Sequence, residues 1–555
     1  MPKVSSLIIV VFMFACINLV GAVLEVGQTE EFLYNTIQSA VNSATEYDTV
    51  LVHPGRYIEN IDIYEKSLTL CSLFLTTGDI SYIDSTIIDG NKEDTVINAQ
   101  HYIYSSVSRI IKISGLTITN GNSLTDHYNE GEGRNFDGGG IHIVGYSYHN
   151  SNFSSIEYCK ILNNVSEGGG GVYLHKTNMK FTGCEISDNN GSERGGGIYS
   201  TGTSYSLEFS TENLNSIYNN SAGKGRDIYL QSFISNPAEL HSPLHFDKIS
   251  VELSEDFSHY FYVSAAIEWD GVINYNETAY ERIEADLFVS PTGDDNNSGL
   301  TQSDPLKTIS QACSILKPRS NGDYNIVRVA PGIYSPDITG EIFPISMDRG
   351  TKIIGAGSGE SILDGEDQIC NFFFLEDNRQ IFISGFRCQN LYSRSGWAGT
   401  VYITNAEDVT LKDFEIRNVH TCTAGIEIRY GKNMLVEDFI IKNYNYLGFL
   451  ISASSGVFHN IWTDSLNVTL EIQGQATSMP FFFEHGGYKL SNLATTNSVI
   501  PGGRVFQYNH SAEVCDDFVT VNNLLIANCS STPLDWNLST VGFFGEHLPQ
   551  IKFNK

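Results

Sequence analysis

Between residues 381 and 466, apolar and polar positions alternate in short runs that return at near-even intervals. The runs "IFISGFRCQNL" (381–391), "VTLKDFEIRNV" (409–419), "MLVEDFIIKNY" (434–444) and "VFHNIWTDSL" (457–466) begin 28, 25 and 23 residues apart. Between them lies a second family, "TVYITN" (400–405), "GIEIRY" (425–430) and "GFLISA" (448–453). Alternation with period two marks strands with one buried face. The spacing is too short for strand–helix–strand units, and no helical pattern separates the runs. A coil of roughly 25 residues per turn, each strand stacked on its copy one turn below, satisfies both constraints and is a parallel β-helix. The alignment predicts inward stacks of Phe386, Phe414, Phe439 and Ile461, of Val401, Ile426 and Phe449, and of Ile403, Ile428 and Ile451. It also predicts a ladder of Asn390, Asn418 and Asn443, whose amides bond to one another at a turn.

The first half repeats in other wording. "GLTITN" (115–120), "YCKILN" (158–163) and "GCEISD" (183–188) align, with Cys159 and Cys184 at one inward position. Glycine runs follow, in "GGGIHI" (138–143), "GGGGVYL" (168–174) and "GGGIYS" (195–200). Glycine permits close backbone approach at each turn. Without a following helix and Lys-Ser/Thr, these runs do not make a phosphate loop.

One phrase occurs twice, "VLVHPGRYIEN" (50–60) and "VRVAPGIYSPD" (327–337). A short amphipathic segment precedes each, "TIQSAVNSA" (36–44) and "TISQACSIL" (308–316), and an Asp-Gly turn follows each, "TIIDG" (86–90) and "SILDG" (361–365). The open end of a β-helix needs cover for its core and strand edges. The expected fold is therefore all-β, two tandem parallel β-helices, each with a short N-terminal capping helix. The expected boundaries are 23–230 for the first, 231–285 for a small β-rich linker region, and 286–555 for the second. The ending "GEHLPQIKFNK" offers no cap or sorting signal, which leaves the last coil to a partner or to further chain.

Charge narrows the partners. Of 555 residues only 17% are charged, with 64 acidic against 33 basic, a net charge of −31. Such a chain has no general positive field for nucleic acid. It repels polyanions unless cations bridge them, so divalent cations are plausible partners. Residues 1–22, with Lys3, the apolar run "LIIVVFMFA" and the small residues "VGA", read as a signal peptide, so the expected location is secreted or cell-surface. No later stretch resembles a transmembrane helix. Nine cysteines remain after residue 22, without Cys-x-x-Cys spacing, which argues against structural zinc. They sit in strand patterns, where a thiol behaves as a small hydrophobe.

The segment "DLFVSPTGDDNNSGLTQSDPLKTI" (286–309), followed by "VAPGIY" and "GEIFPI", resembles an uncharacterised module of secreted bacterial proteins in the pectate-lyase-like right-handed parallel β-helix superfamily. "CKILNNVSEGGGGVYL" and "CEISDNNGSERGGGIYS" resemble the Gly-Gly-Gly-Ile repeats of surface β-helix proteins, polymorphic outer-membrane proteins among them. The resemblance implies right-handed coils and export. It does not choose a chemistry, because that superfamily holds lyases, hydrolases and adhesins.

Two function classes follow. The first is a non-catalytic scaffold presenting an elongated face to a polysaccharide, a surface glycan or a partner. The alternative is a polysaccharide lyase acting by Ca²⁺-assisted elimination on uronic-acid polymers, which needs a Lys or Arg base near a neutralised carboxylate. Candidate catalytic residues are Arg417, Arg429, Lys442 and Glu427, with Tyr402, Glu427 and Arg429 as candidate sugar contacts. A hydrolase needs paired carboxylates. "NFD" (135–137) and Asp516–Asp517 resemble two hydrolase motifs but fall in different halves. For Ca²⁺, Asp294, Asn296, Ser298 and Asp304 resemble the start of an EF-hand loop, with Pro305 where the bidentate Glu belongs. Asn164 and Asn276 head Asn-x-Ser/Thr acceptor sequences.

Overall fold

A computed structural model describes residues 21–554 apart from 101–108, 125–137, 146–152, 203–204, 233–237, 241–243, 252–259, 264–266, 269–272, 368–370, 393–398, 421–423, 445–446, 465–479, 485–486, 497–505, 510–518, 528–540 and 545–551. Most of the 1–22 leader and both hydrolase-like motifs lie outside the described residues.

The chain is an all-β parallel solenoid with few helices. Strands up to Ile273–Tyr280 form sheets of nine, seven, eight and three strands, and strands from Leu287–Val289 onward form sheets of twelve and seven. Among the described residues no sheet joins the two sets. The largest apolar cores run from Val26 to Phe261 and from Leu287 to Leu493.

The predicted register is observed. Phe386 pairs with Phe414, Phe414 with Phe439, and Phe439 with Ile461. All four are at most 1% exposed, and the Phe414 and Phe439 rings stack at 4.9 Å. Val401, Ile426 and Phe449 also align, as do Ile403, Ile428 and Ile451. Asn418 donates to Asn390 at 3.4 Å and Asn443 to Asn418 at 3.2 Å, while Asn390 itself donates to Asp364. Cys159 and Cys184 are buried and free, as are Cys71, Cys313 and Cys388.

The repeated phrase builds the same device twice. Helices Ile37–Ser43 and Ile309–Ile315 stand at the expected places, with Thr36 and Thr308 capping them through their side-chain oxygens. The Tyr57 hydroxyl donates to His53 O and the Tyr334 hydroxyl to Ala330 O, both at 2.9 Å. The tyrosine thus locks the Pro-Gly turn to the residue before the proline. The helices Phe74–Thr77 and Ser81–Ser85 were not expected.

The 231–285 segment requires a correction. Its strands Leu244–Val251 and Ile273–Tyr280 extend the eight-stranded sheet in parallel, and Phe261–Val263 extends the seven-stranded one. Phe246 and Ile249 point into the core with no exposure. The coil continues here without the Gly-Gly-Gly-Ile marker that flags earlier turns. That marker has a steric cause. A Cβ on Gly170 would lie 2.6 Å from the Gly196 carbonyl oxygen of the next coil.

Candidate functional site

The long strands of the twelve-stranded sheet bend at Asp413, Asp438, Asn460, Asn492 and Asn523, all with φ between 53° and 59°. Asp and Asn tolerate this left-handed conformation better than other non-glycine residues. Their side chains form a second ladder, with Asn460 donating to Asp438 at 2.9 Å, Asn492 to Asn460 at 2.8 Å and Asn523 to Asn492 at 2.9 Å.

Beyond each bend, two positions face outward. One column runs Glu415, Ile440, Trp462, Ala494, Leu525, and the other Arg417, Lys442, Asp464, Thr496. The ladder residues Asp413, Asp438, Asn460 and Asn492 and the column from Ile440 to Leu525 line a groove of about 560 Å³, with Glu415 next in register beyond Ile440. Its floor is apolar where Ile440, Trp462 and Leu525 surface; Trp462 is 38% and Leu525 58% exposed. The small Ala494 between them leaves a step beside the indole. Thr496 accepts from Trp462 Nε1 at 2.8 Å and donates to Asp464 at 2.6 Å, which fixes the ring. The Lys442 ammonium sits 5.4 Å from the ring centroid.

At the head of the groove, three cations converge on one carboxylate. Glu415 pairs with Arg387 at 2.9 Å, with Lys442 at 3.3 Å and with Arg417. Burial works to raise the Glu415 carboxyl, but hydrogen bonds and charge from Arg417 and Arg387 outweigh it and hold the group below the ordinary carboxylate range. The face therefore carries a cluster with more positive than negative charge, three cations around one carboxylate.

Arg417 and Lys442 thus do align one coil apart, on the groove's edge. Tyr402, Glu427 and Arg429 belong to the second half's seven-stranded sheet, which is separate from the twelve-stranded one, and are not brought to them. Glu427, a candidate sugar contact, is fully buried and bonded to Arg429 Nε at 2.6 Å, so it is not presented to a ligand. Tyr402 stacks on Phe374 at 5.0 Å, within electrostatic reach of Glu193 and Arg194 of the first half. The first half thus approaches Tyr402, which strand alternation cannot reveal.

In the EF-hand-like loop the acidic groups serve the chain. Asp294 accepts from Asn296 N at 2.9 Å, and Asp304 from the Ser298 hydroxyl at 2.6 Å. Among the described residues no three His, Cys, Asp or Glu are grouped to hold a metal. Asn164 is fully buried and so closed to glycosylation once folded, whereas Asn276 is exposed.

Sequence reading missed Trp462 and the bend ladder. The signal was present as the column Asp413, Asp438, Asn460, one residue before each inward Phe or Ile.

A family model described as "Protein of unknown function (DUF1565)" matches residues 291–471, a segment that holds much of the module-like sequence and most of the groove. No curated protein matches the chain. Among solved structures, a mutant of a PL6-family alginate lyase is similar over 91% of this chain and 89% of its own, at 9% identity and a TM-score of 0.23.

Proposed function

We propose that the protein is an exported β-solenoid that binds a glycan, without transforming it, in the groove over Ile440, Trp462, Ala494 and Leu525. One observation carries this reading. An exposed indole, held by Thr496, stands beside a step at Ala494 between walls of amides, carboxylates and hydroxyls. Sugar rings present apolar faces and polar rims, and such a surface matches both. The lyase reading is less well supported, because Arg417 and Lys442 are both engaged with Glu415. Export rests on the leader-like sequence of residues 1–22.

The test is a glycan array probed with the full chain, followed by titration of any hit. Trp462→Ala is expected to weaken binding at least tenfold with no change in fold. Absence of glycan binding, or equal binding by Trp462→Ala, would overturn the proposal. A Ca²⁺-dependent rise in unsaturated-uronate absorbance would replace it with the lyase reading.

A further inference from the structure

A second cavity lies where the first half's late coils meet the cap of the second. It has a volume of about 300 Å³, and its lining includes Ser221, Arg226 and Tyr280 from the first half and Ser310, Gln311 and Ser346 from the second. Clefts of roughly 300 Å³ and above, at junctions between folded units, commonly hold small ligands.

Arg226 is the unusual member. It is only 6% exposed. Its guanidinium donates to the Tyr260 hydroxyl at 3.0 Å, to the Ser314 hydroxyl at 2.9 Å and to the Ser346 carbonyl oxygen, all neutral acceptors. Its Nε is buried without an acceptor among the described residues. Among the described residues the carboxylates near Arg226, including Asp295 of the cleft's own lining, are bonded to other groups. Asp227 accepts from Ser250 Oγ at 2.9 Å, Asp295 from Thr308 N at 2.9 Å, and Glu341 from Ile309 N at 2.7 Å. A buried ion without a counter-ion is costly to maintain. The Gln311 side-chain amide and the Ser221 hydroxyl, one from each half, have no hydrogen bond to the chain among the described residues.

We propose that this cleft binds a small anion, a carboxylate or phosphate on a hydroxyl-rich frame, with Arg226 as its counter-ion and Gln311 and Ser221 bonding its hydroxyls. The ligand bridges the two halves and braces them. The site stands apart from the groove and does not depend on that proposal.

The test uses the full chain at fixed ionic strength, with calorimetry and thermal unfolding against gluconate, glucose 6-phosphate, inorganic phosphate and, as neutral control, glucose. Saturable binding and a raised midpoint with at least one anion, and neither with glucose, is the expected result. Response to gluconate alone assigns a carboxylate, and response to the phosphates alone assigns a phosphate. Arg226→Gln is expected to weaken binding at least tenfold. Because Arg226 also ties the halves together, Ser221→Leu, which fills the cleft from its edge, must abolish binding with an unchanged circular dichroism spectrum. No response to any anion, an equal response to glucose, or binding retained by Ser221→Leu would overturn the assignment.

Discussion

The Glu341 carboxylate accepts a hydrogen bond from the backbone amide of Ile309 at 2.7 Å. Its other oxygen takes Ser310 N at 2.8 Å. Glu59 holds Ile37 N and Gln38 N in the same way, both at 2.9 Å. Each acid comes from the strand-and-turn segment after the Pro-Gly-x-Tyr phrase and reaches back to the helix before it. The first amides of a helix have no intrahelical acceptor. The clamp satisfies two of them and ties lid to cylinder.

Replacing Glu341 by Ala removes both bonds in a site that is only 2% exposed. The expected cost is about 1–3 kcal/mol, read from urea unfolding. Glu341→Gln keeps one acceptor and is expected to lose less. Glu59→Ala, at the more exposed first lid, is expected to cost less than Glu341→Ala.

Two buried acids set a pH dependence. Burial pushes the Glu341 carboxyl up to about 7 from 4.5. Burial also pushes Asp227 up to about 7 from 3.8. A group with a raised folded value binds its proton more tightly when folded. Its contribution is fully present below the unfolded value and is lost as pH rises through the folded one. Thermal midpoints are therefore expected to fall between about pH 5 and about pH 8, and Glu341→Gln to flatten that slope. Glu415 and Asp89, held below the ordinary range, act in the opposite sense and only at lower pH.

Two kinds of asparagine ladder should respond differently to mutation. Asn164, Asn189 and Asn220 form a buried ladder that ends on Asp227, with successive bonds of 3.0, 3.0 and 3.1 Å. Asn189 also donates to Ile161 O at 2.8 Å. Asn189→Ala strands several buried polar groups and is expected to cost about 1–3 kcal/mol. Asn418→Ala, on the exposed ladder, is expected to change stability by less than about 0.5 kcal/mol. Paired urea titrations distinguish the two.

The two ladders also mark how far the sequence could be read. Strand register was legible because inward Phe, Ile and Val recur at every coil. The outer ladder was legible because Asn390, Asn418 and Asn443 follow the same inward pattern. The buried ladder was written as plainly, in "ILNN", "ISDN" and "IYNN", where Ile161, Ile186 and Ile217 each precede an Asn by three residues. The glycine runs that follow the first two of these segments are the more conspicuous repeat of that half and mask it. The approach of the first half to Tyr402 had no such signal. Alternation gives a side chain's face, and what packs on that face depends on contacts between residues distant in sequence, such as Lys224 with Glu376 at 3.5 Å.

The groove's charge character depends on Glu415. Its side chain is 7% exposed, while those of Arg387, Arg417 and Lys442 are 19%, 36% and 28% exposed. Glu415→Gln leaves these three cations without their common counter-ion, at the edge of a groove on a chain of net charge −31. Because the cations reach water, the stability cost is expected to be about 1–3 kcal/mol, below that of a fully buried pair. The local field becomes more positive, so the variant is expected to gain affinity for acidic polysaccharides over neutral ones. That gain should fade as salt is raised, since exposed charges are screened. Binding titrations of wild type and Glu415→Gln against one acidic and one neutral polysaccharide, at low and high salt, measure this directly. An unchanged preference would mean that ligands of the groove do not reach the Glu415 end.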